Sequence, residues 1–241
     1  IMIHKIASGS GGNAIVVDNG NSKLLLDAGI SYNKLRREVQ LSSIDAVLIT
    51  HEHGDHTKAL DKILRKHAYQ IDIYMTQGTY EALLERPNSN GGISDVYEGA
   101  ITIIHPEKMF GVDGYHITPF TVMHDAREPV GYLIDCTLTI NRYVYIVDSS
   151  IVNYTFNRVT HWLIECNYNE AYLDENENLP DSVKNRIRRS HMSIDNLCAY
   201  LSDTDLSNTS EIHVLHMSSS NGYPEGFMNR IQRNTGVPVY V

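Results

Sequence analysis

The 241 residues are enough for a large hydrophobic core, and we interpret residues 1–241 as a single domain. Their 20 basic and 29 acidic side chains give a net charge of −9, which disfavours broad, non-specific binding to nucleic acid but leaves a local cationic site open. No segment is apolar enough to span a membrane, no export signal is expected, and 3 scattered cysteines do not make a disulfide framework, so the composition favours a cytoplasmic protein.

Short apolar runs between turn-forming residues predict strands in the first half of the chain. The predicted strands are residues 2–7, 14–17, 23–26, 46–49 and 71–75. Helical spacing of apolar residues predicts helices at residues 31–39, 57–66 and 77–84. The composition of residues 88–92 indicates a mobile surface loop.

The second half of the chain begins with strands and then alternates strands with helices. Strands are predicted at residues 100–104, 116–122, 131–135, 143–147, 161–164, 211–215 and 237–241. Helices are predicted at residues 193–201 and 225–234. Two rounds of strands followed by helices predict a mixed α/β (α+β) fold, in which two sheets pack face to face with helices outside.

Metal-binding side chains are concentrated directly after the apolar run 46–50, in the sequence His51-Glu52-His53-Gly54-Asp55-His56. His51 and His53 are two residues apart and can point the same way at a strand end, while Asp55 and His56 can face a second ion. Imidazole and carboxylate ligands together suit Zn²⁺, with Mn²⁺ or Fe as alternatives. A solvated polar loop would not require this density of histidines.

Four further polar residues each follow an apolar, strand-like segment. They are Asp27, His124, Asp148 and His216. Because the ends of neighbouring strands can present polar groups to one shared cleft, we expect these side chains to complete the metal site. Asp27 is expected to orient the metal-binding loop rather than to bind metal itself.

These segments resemble the motifs of metallo-β-lactamase-fold hydrolases over nearly the whole chain. The matching pieces are Leu-Leu-Asp-Ala-Gly at 25–29, Thr-His-Glu-His-Gly-Asp-His at 50–56, and the three residues His124, Asp148 and His216. The resemblance implies a four-layer αββα sandwich.

Within that fold the chain is most similar to the small YycJ-like nuclease branch, near ribonuclease Z and ribonuclease J. The segments that carry this similarity are residues 7–14, 124–132, 164–168, 191–193 and 216–218. Two departures are the Ser149-Ser150 pair after Asp148 and Ser190 before His191, and neither removes a ligand. Phage-borne members belong to the same branch, which leaves a phage origin open.

The resemblance also assigns roles to individual residues. It implies one divalent metal ion on His51, His53 and His124 and a second on Asp55, His56 and His216, with Asp148 bridging the two. It implies Zn²⁺ as the metal, with Mn²⁺ as the alternative, and gives Asp55, Asp148 and His191 catalytic roles.

His191 and four other residues are candidates for contact with the substrate. His191 matches the histidine that contacts the phosphate or protonates the leaving oxygen in ribonuclease Z-like enzymes, although it can also be only an exposed neighbour of the predicted helix cap Ser193. Ser218 and Asn221 precede the last predicted helix, where backbone amides can hold a phosphate. Arg188 and Arg189 lie just before His191 and either help to bind an anion or are merely solvated.

The function that the resemblance implies is a metal-dependent phosphodiesterase, most similar to exonucleases that hydrolyse DNA or RNA with a metal-activated water. Hydrolysis of a cyclic nucleotide is an alternative within the same class. Hydrolysis of a thioester, lactone or β-lactam would use the same metals, and a metal-holding regulatory protein is a non-enzymatic alternative. The expected partner is nucleic acid or a nucleotide and not a membrane, and a homodimer is left open.

Overall fold

A computed structural model of the chain describes residues 2–87 and 91–241. The loop predicted at residues 88–92 therefore falls largely on residues 88–90, which lie outside the described residues. The chain divides into two compact units. The first unit holds the residues up to Thr121 with 126–130 and 136–139, and the second holds 122–125, 131–135 and 140–241. The interpretation of the chain as one domain stays a prediction.

The first unit is built on a sheet of strands in the order β1-β2-β3-β4-β5-β6. Its strands are β1 (Met2–Ala7), β2 (Ala14–Asp18), β3 (Lys23–Leu26), β4 (Ala46–Leu48), β5 (Asp72–Thr76) and β6 (Ile101–Ile104). Strands β1 to β3 pair antiparallel and β3 to β6 pair parallel. Strands β7 (Phe110–Val112) and β8 (Tyr115–Thr121) form an antiparallel pair in the same unit.

The helices of the first unit are α1 (Tyr32–Glu38), α2 (Gly54–Thr57), α3 (Leu60–His67) and α4 (Gln77–Glu85), with short 3₁₀ helices at Leu41–Ser43 and Asp95–Ala100. Three of the four α-helices, α1, α3 and α4, bury apolar side chains, whereas the short α2 buries His56 and Thr57. Leu35, Leu60, Ile63 and Leu64 pack in one core with strand residues such as Val47. This burial of a single helical stripe stabilises helices that would be marginal alone.

The prediction of one continuous helix at residues 57–66 is wrong at its N-terminal end. The chain instead forms α2 and α3, with a break at Lys58 and Ala59. The amide of Ala59 donates to Ala28 O at 2.8 Å, and the carbonyl of Asp55 accepts from Asn13 N at 2.7 Å. Because both groups of one helical hydrogen bond have partners elsewhere, the helix is interrupted directly after Thr57.

The second unit contains a sheet of strands in the order β13-β12-β11-β10-β9. These strands are β9 (Val130–Cys136), β10 (Arg142–Ile146), β11 (His161–Glu165), β12 (Glu211–Leu215) and β13 (Val239–Tyr240). Strand β9 pairs antiparallel with β10, and β10 to β13 are parallel. The parallel strands therefore end at one edge, and Asp148, Glu165 and His216 lie at that edge.

The helices of the second unit are α5 (Glu170–Glu175), α6 (Asp181–Ser190), α7 (Ile194–Ser202) and α8 (Pro224–Thr235). Ser193 caps α7 by accepting a hydrogen bond from Asn196 N at 3.1 Å, as predicted. The sequence analysis missed α5 and α6, because α5 buries Leu173 alone and α6 buries only Lys184 and Ser190. The closing strand is shorter than predicted, and it begins only at Val239 because Pro238 has no amide hydrogen to donate.

The two sheets and their helices confirm the mixed α/β class. None of the helices in the described part of the chain is long and apolar enough to cross a membrane.

Candidate metal centre

The loop after β4 and the first residues of α2 bring four predicted ligands together in the first unit. We call His51, His53, Asp55 and His56 the loop group. The ring centroid of His51 lies 4.7 Å from that of His53 and 4.1 Å from that of His56. His56 Nε2 lies 3.5 Å from Asp55 Oδ2. Glu52 is separate, because its Oε1 accepts the backbone amide of Arg127 at 2.9 Å.

Asp27 holds the ring of His56 from behind. It follows β3 and is fully buried, and its Oδ2 lies 2.8 Å from His56 Nδ1. Its Oδ1 accepts from Thr50 N at 2.8 Å, and Thr50 Oγ1 lies 3.0 Å from His51 Nδ1. A carboxylate at Nδ1 fixes the tautomer of an imidazole and directs Nε2 towards a ligand. Asn13 Nδ2 lies 3.0 Å from His56 Nε2, so Asn13 and Thr50 are contacts that the sequence did not reveal.

Gly29 allows the chain to pass close to the loop group. A Cβ atom at this position would lie 1.5 Å from the carbonyl oxygen of Asp55, so no other residue fits without moving the loop. The amide of Gly29 also donates to Asn13 O at 2.8 Å. The Leu-Leu-Asp-Ala-Gly segment therefore supplies both the carboxylate that holds His56 and the space for Asp55.

In the second unit, four side chains at the carboxyl edge of the parallel strands form another group. We call Asp148, Glu165, His191 and His216 the strand-end group, and their ligand atoms all lie within 4.8 Å of one another. His191 Nδ1 lies 2.7 Å from Glu165 Oε1 and 3.1 Å from Asp148 Oδ1. His216 Nδ1 lies 3.1 Å from Glu165 Oε1 and 3.2 Å from Asp148 Oδ1.

Three of the predicted site residues have backbone conformations that L-amino acids rarely adopt. The φ angle is 58° at Asp27 and 51° at both Asp148 and His216. Each residue comes just after a strand, where the left-handed conformation turns the chain sharply. Such a residue costs about 1–3 kcal/mol and persists only where the surrounding structure holds it, often at functional sites.

The charges of the strand-end group depend on each other. Burial alone would lower the pKa of His191, but the carboxylates of Glu165 and Asp148 outweigh burial and raise the pKa of His191 to about 10. Burial would raise the pKa of Glu165, whereas His191 and His216 outweigh it and lower the pKa of Glu165. With neutral imidazoles the two carboxylates give the group a net negative charge, which suits a cation.

His124 lies in the second unit, with its ring held by the end of α6. Its Nδ1 lies 3.2 Å from the carbonyl oxygen of Ser190, and its ring centroid is 5.7 Å from that of His191. A backbone carbonyl at Nδ1 selects the tautomer that has Nε2 as the acceptor. The departure from the family pattern at Ser190 leaves this contact intact, because the contact uses only the backbone.

Glu165 is the main residue that the sequence analysis missed. It is fully buried, bonds both imidazoles of the strand-end group, and accepts the amide of Ser149 at 2.8 Å through Oε2. The sequence did contain one indication of Glu165, because this residue ends an apolar strand just as Asp148 follows one. Asn167 adds a hydrogen bond of 2.7 Å to His216 O.

The predicted substrate contacts at Ser218 and Asn221 lie in a turn whose polar groups bond to each other. Ser218 Oγ accepts from Asn221 N at 3.2 Å, and Asn221 Oδ1 accepts from Asn176 Nδ2 at 2.8 Å. The structure thus gives both side chains a structural use, and their contact with a substrate stays a prediction. The arginines before His191 differ, because Arg188 bonds Glu170 and Asp174 whereas Arg189 is exposed.

The donor atoms of both groups fit a divalent metal. They are imidazole nitrogens and carboxylate oxygens, the ligands that Zn²⁺, Mn²⁺ and Fe²⁺ share in proteins. The three cysteines are buried free thiols and belong to neither group. The number and identity of the ions, and the role of His191 as a residue that does not bind metal, stay predictions.

Comparisons with known proteins agree with this chemistry. The chain is 28% identical to exodeoxyribonuclease YycJ of Bacillus anthracis over 231 residues, which covers 91% of this chain and 83% of that protein. It is 29% identical to exodeoxyribonuclease WalJ of Streptococcus pneumoniae, over 91% of this chain and 82% of that protein. The crystal structure of YhfI from Bacillus subtilis, a metallo-β-lactamase fold protein, matches with a TM-score of 0.72 at 15% identity and covers 99% of this chain and 94% of that one.

The structural match confirms the fold that the motifs implied. The sequence model of the beta-lactamase superfamily domain matches residues 22–216, a range that includes the loop group, His124 and the strand-end group. Since this range is most of the chain, the protein belongs to the β-lactamase superfamily.

Proposed function

We propose that the protein is a metal-dependent phosphodiesterase that hydrolyses nucleic acid from a chain end. The observation that carries the proposal is the concentration of imidazoles and carboxylates in the loop group and the strand-end group. We propose two divalent ions, Zn²⁺ or Mn²⁺, held by His51, His53, His124, Asp55, His56 and His216 with Asp148 bridging, as the resemblance implies. Two such ions would activate a water molecule and neutralise charge on a phosphate.

The chain's own residues would hold these ligands in place and handle protons. Asp27 fixes the ring of His56 through a 2.8 Å contact, and Glu165 fixes His191 and His216 together. His191 is 18% exposed, so its ring can reach a substrate while Glu165 holds its Nδ1. We propose that Nε2 of His191 contacts the phosphate or gives a proton to the leaving oxygen.

The names of two relatives favour a DNA substrate. Both are called exodeoxyribonucleases, and both are matched over more than four fifths of their own length. We therefore propose single-stranded or double-stranded DNA as the first substrate to test, with RNA as the second. The buried free thiols support the expectation of a reducing compartment such as the cytoplasm.

The test is hydrolysis of end-labelled DNA and RNA by protein loaded with Zn²⁺ or Mn²⁺. We expect mononucleotides to be released from linear strands, a circular single strand to stay intact, and chelator to abolish the reaction. The matched variants are His216→Ala, which removes a proposed ligand, and His213→Ala, which removes a histidine three positions earlier that bonds Glu211 at 2.9 Å. Only His216→Ala should lose metal and activity.

Two outcomes would overturn the proposal. Hydrolysis of a thioester or lactone, with all nucleic acids left intact, would assign a different reaction to the same ligands. Cleavage of a cyclic nucleotide alone would keep the phosphodiesterase chemistry and remove nucleic acid as the substrate.

A further inference from the structure

A row of exposed cations leads away from the loop group on the surface of the first unit. Lys58, Lys62, Arg65 and Lys66, which we call the basic stripe, are all exposed. Their spacing of three or four residues places them on one face of a helix. Although the helical hydrogen bonding is interrupted between α2 and α3, the backbone at Lys58 (φ −54°, ψ −33°) and at Ala59 (φ −90°, ψ −12°) stays in the right-handed helical region, so Lys58 keeps nearly the position it would have on an unbroken helix.

The charge of the basic stripe is only partly neutralised by the protein. Asp61 is the one acidic residue in the segment 58–69, and it pairs with Arg65 at 2.9 Å. Lys66 Nζ lies 5.3 Å from the centre of the Tyr32 ring. Within residues 2–87 and 91–241, Lys58 and Lys62 form no ion pair. An open cationic face on a chain with a net charge of −9 is therefore a local feature that a polyanion can recognise.

The far end of the stripe opens into a cavity with aromatic walls. The cavity has a volume of about 410 Å³ and is lined by Arg65, Lys66, Tyr69, Val96 and Tyr97, among others. None of the described residues that line it is acidic. Tyr69 is fully exposed, although an aromatic ring of this size normally packs against other apolar groups. An exposed ring beside two cations provides a surface on which a nucleic-acid base can stack.

We infer that this surface binds a single-stranded phosphodiester chain, with phosphates along the basic stripe and a base beside Tyr69. The inference rests on the proposed function, because the strand that leaves the loop group would be the substrate. Tyr69 lies 11 positions after Lys58, most of them in α3, and at the rise of a helix this distance is about 16 Å, which corresponds to about five phosphates at the spacing of one DNA strand. The surface would thus hold nucleotides several positions away from the bond that is hydrolysed.

The experiment measures binding and hydrolysis separately on metal-loaded protein. The binding probes are ten-nucleotide single strands of DNA and of RNA with phosphorothioate linkages, measured by fluorescence anisotropy from 50 to 300 mM salt. The test variant is Lys58→Gln/Lys62→Gln, and its control is Lys108→Gln/Arg233→Gln, which removes the same charge from exposed positions outside the stripe. The second test variant is Tyr69→Ala, whereas Tyr97 packs against the core and is left unchanged.

We expect the double variant to bind the ten-nucleotide strand about 10-fold more weakly than the control, with a salt slope smaller by about 1.4, the value for two lost phosphate contacts on a single strand. Tyr69→Ala should weaken the binding of the ten-nucleotide strand and leave the binding of a dinucleotide unchanged. Hydrolysis of bis-p-nitrophenyl phosphate should be unchanged in both variants. The DNA and RNA arms show whether the surface distinguishes the two sugars.

Equal binding of the ten-nucleotide strand by the double variant and its control would overturn the inference, even if the wild type degrades nucleic acid. Polyglutamate that competes as strongly as the oligonucleotide would also overturn it, because it would show a general anion surface. A wild type that hydrolyses no nucleic acid, yet binds the strand through Lys58 and Lys62, would instead refute the proposed function and support the binding surface.

Discussion

The loop group and the strand-end group present similar ligands but are assembled in different ways. The loop group takes its four side chains from six consecutive residues, which form the loop after β4 and the start of α2. The strand-end group takes its four from residues far apart in sequence: the parallel pairing of β10, β11 and β12 brings Asp148, Glu165 and His216 to one edge, and the end of α6 supplies His191. Local sequence therefore determines the first group, whereas sheet topology determines the second.

The two groups also differ in how a carboxylate supports the imidazoles. Asp27 contacts the Nδ1 atom of His56, and Thr50 contacts both Asp27 and His51. Glu165 contacts two imidazoles directly and shares both of them with Asp148. Loss of Glu165 should therefore disturb both imidazoles of the strand-end group at once.

The largest effect is expected for Asp148→Ala. A carboxylate that bridges two cations screens their mutual repulsion, so its loss should remove at least one ion as well as the activity. Because metal activation contributes several kcal/mol, we expect turnover to fall by more than about 10³-fold. Metal analysis and phosphodiester hydrolysis check this result. The control is Asp203→Ala at an exposed helix end, and two metal equivalents with near-normal turnover in Asp148→Ala would contradict the bridging role.

His191→Ala tests whether every imidazole of the strand-end group binds metal. If His191 acts on the substrate, the variant should keep its metal and its fold, and turnover should fall by about 10²–10⁴-fold. The loss should be larger for a nucleoside leaving group than for nitrophenolate, which needs no proton to depart. The control is His105→Ala, because His105 is an exposed histidine outside both groups.

Three other results would change the role of His191. Loss of a metal equivalent in His191→Ala would make His191 a ligand. An equal loss of rate on both substrates would leave phosphate binding and exclude the acid. Unchanged rates would leave it as the neighbour of the helix cap.

Glu165→Gln and Asp27→Asn compare the two supporting carboxylates directly. Replacing the group that holds a ligating histidine typically weakens metal binding by about 10–100-fold. We expect the loss of metal affinity to lie at the upper end of this range for Glu165→Gln, because Glu165 contacts two imidazoles. For Asp27→Asn we expect a loss at the lower end of the range. Titration of each apo variant with Zn²⁺ gives the affinities without any assay of activity. A weaker effect for Glu165→Gln than for Asp27→Asn would show that the strand-end group does not depend on the shared carboxylate.

The same contrast explains how much of the site could be predicted from the sequence. The loop group was visible because its residues are contiguous, and Asp148 and His216 were visible because each follows an apolar strand in a known motif. Glu165 carries the same strand-end signal, but nothing local shows that it contacts His191 and His216. The contacts of Asn13 and Thr50 with the loop group could not be predicted either. Asparagine is common in turns and threonine is common in strands, so neither residue type indicates a contact with a histidine.

The fold could be predicted where hydrophobic patterning was strong. Strands β1, β3 and β12 have the predicted bounds, because an apolar run between turns leaves few alternatives. Helices α5 and α6 were missed because most of their residues are polar and exposed, so no apolar stripe marks them. The break between α2 and α3 depends on the bond of Ala59 to Ala28, a contact that local propensity cannot reveal.

The smallest effect separates the two arginines at the end of α6, next to the strand-end group. Arg188 bonds Glu170 and Asp174, and ion pairs in contact with water contribute little to stability. Arg188→Gln should therefore lower Tm by a few degrees at most and leave KM unchanged.

Arg189 is exposed, has no ion pair within the described residues, and lies two residues before His191. If it contacts the substrate, Arg189→Gln should raise KM for an oligonucleotide about 3–10-fold at constant Tm, because one charge contact in water contributes about 1 kcal/mol. The opposite pattern, with Tm lowered by Arg189→Gln and KM raised by Arg188→Gln, would show that the ion pairs of Arg188 give way when an anionic substrate binds.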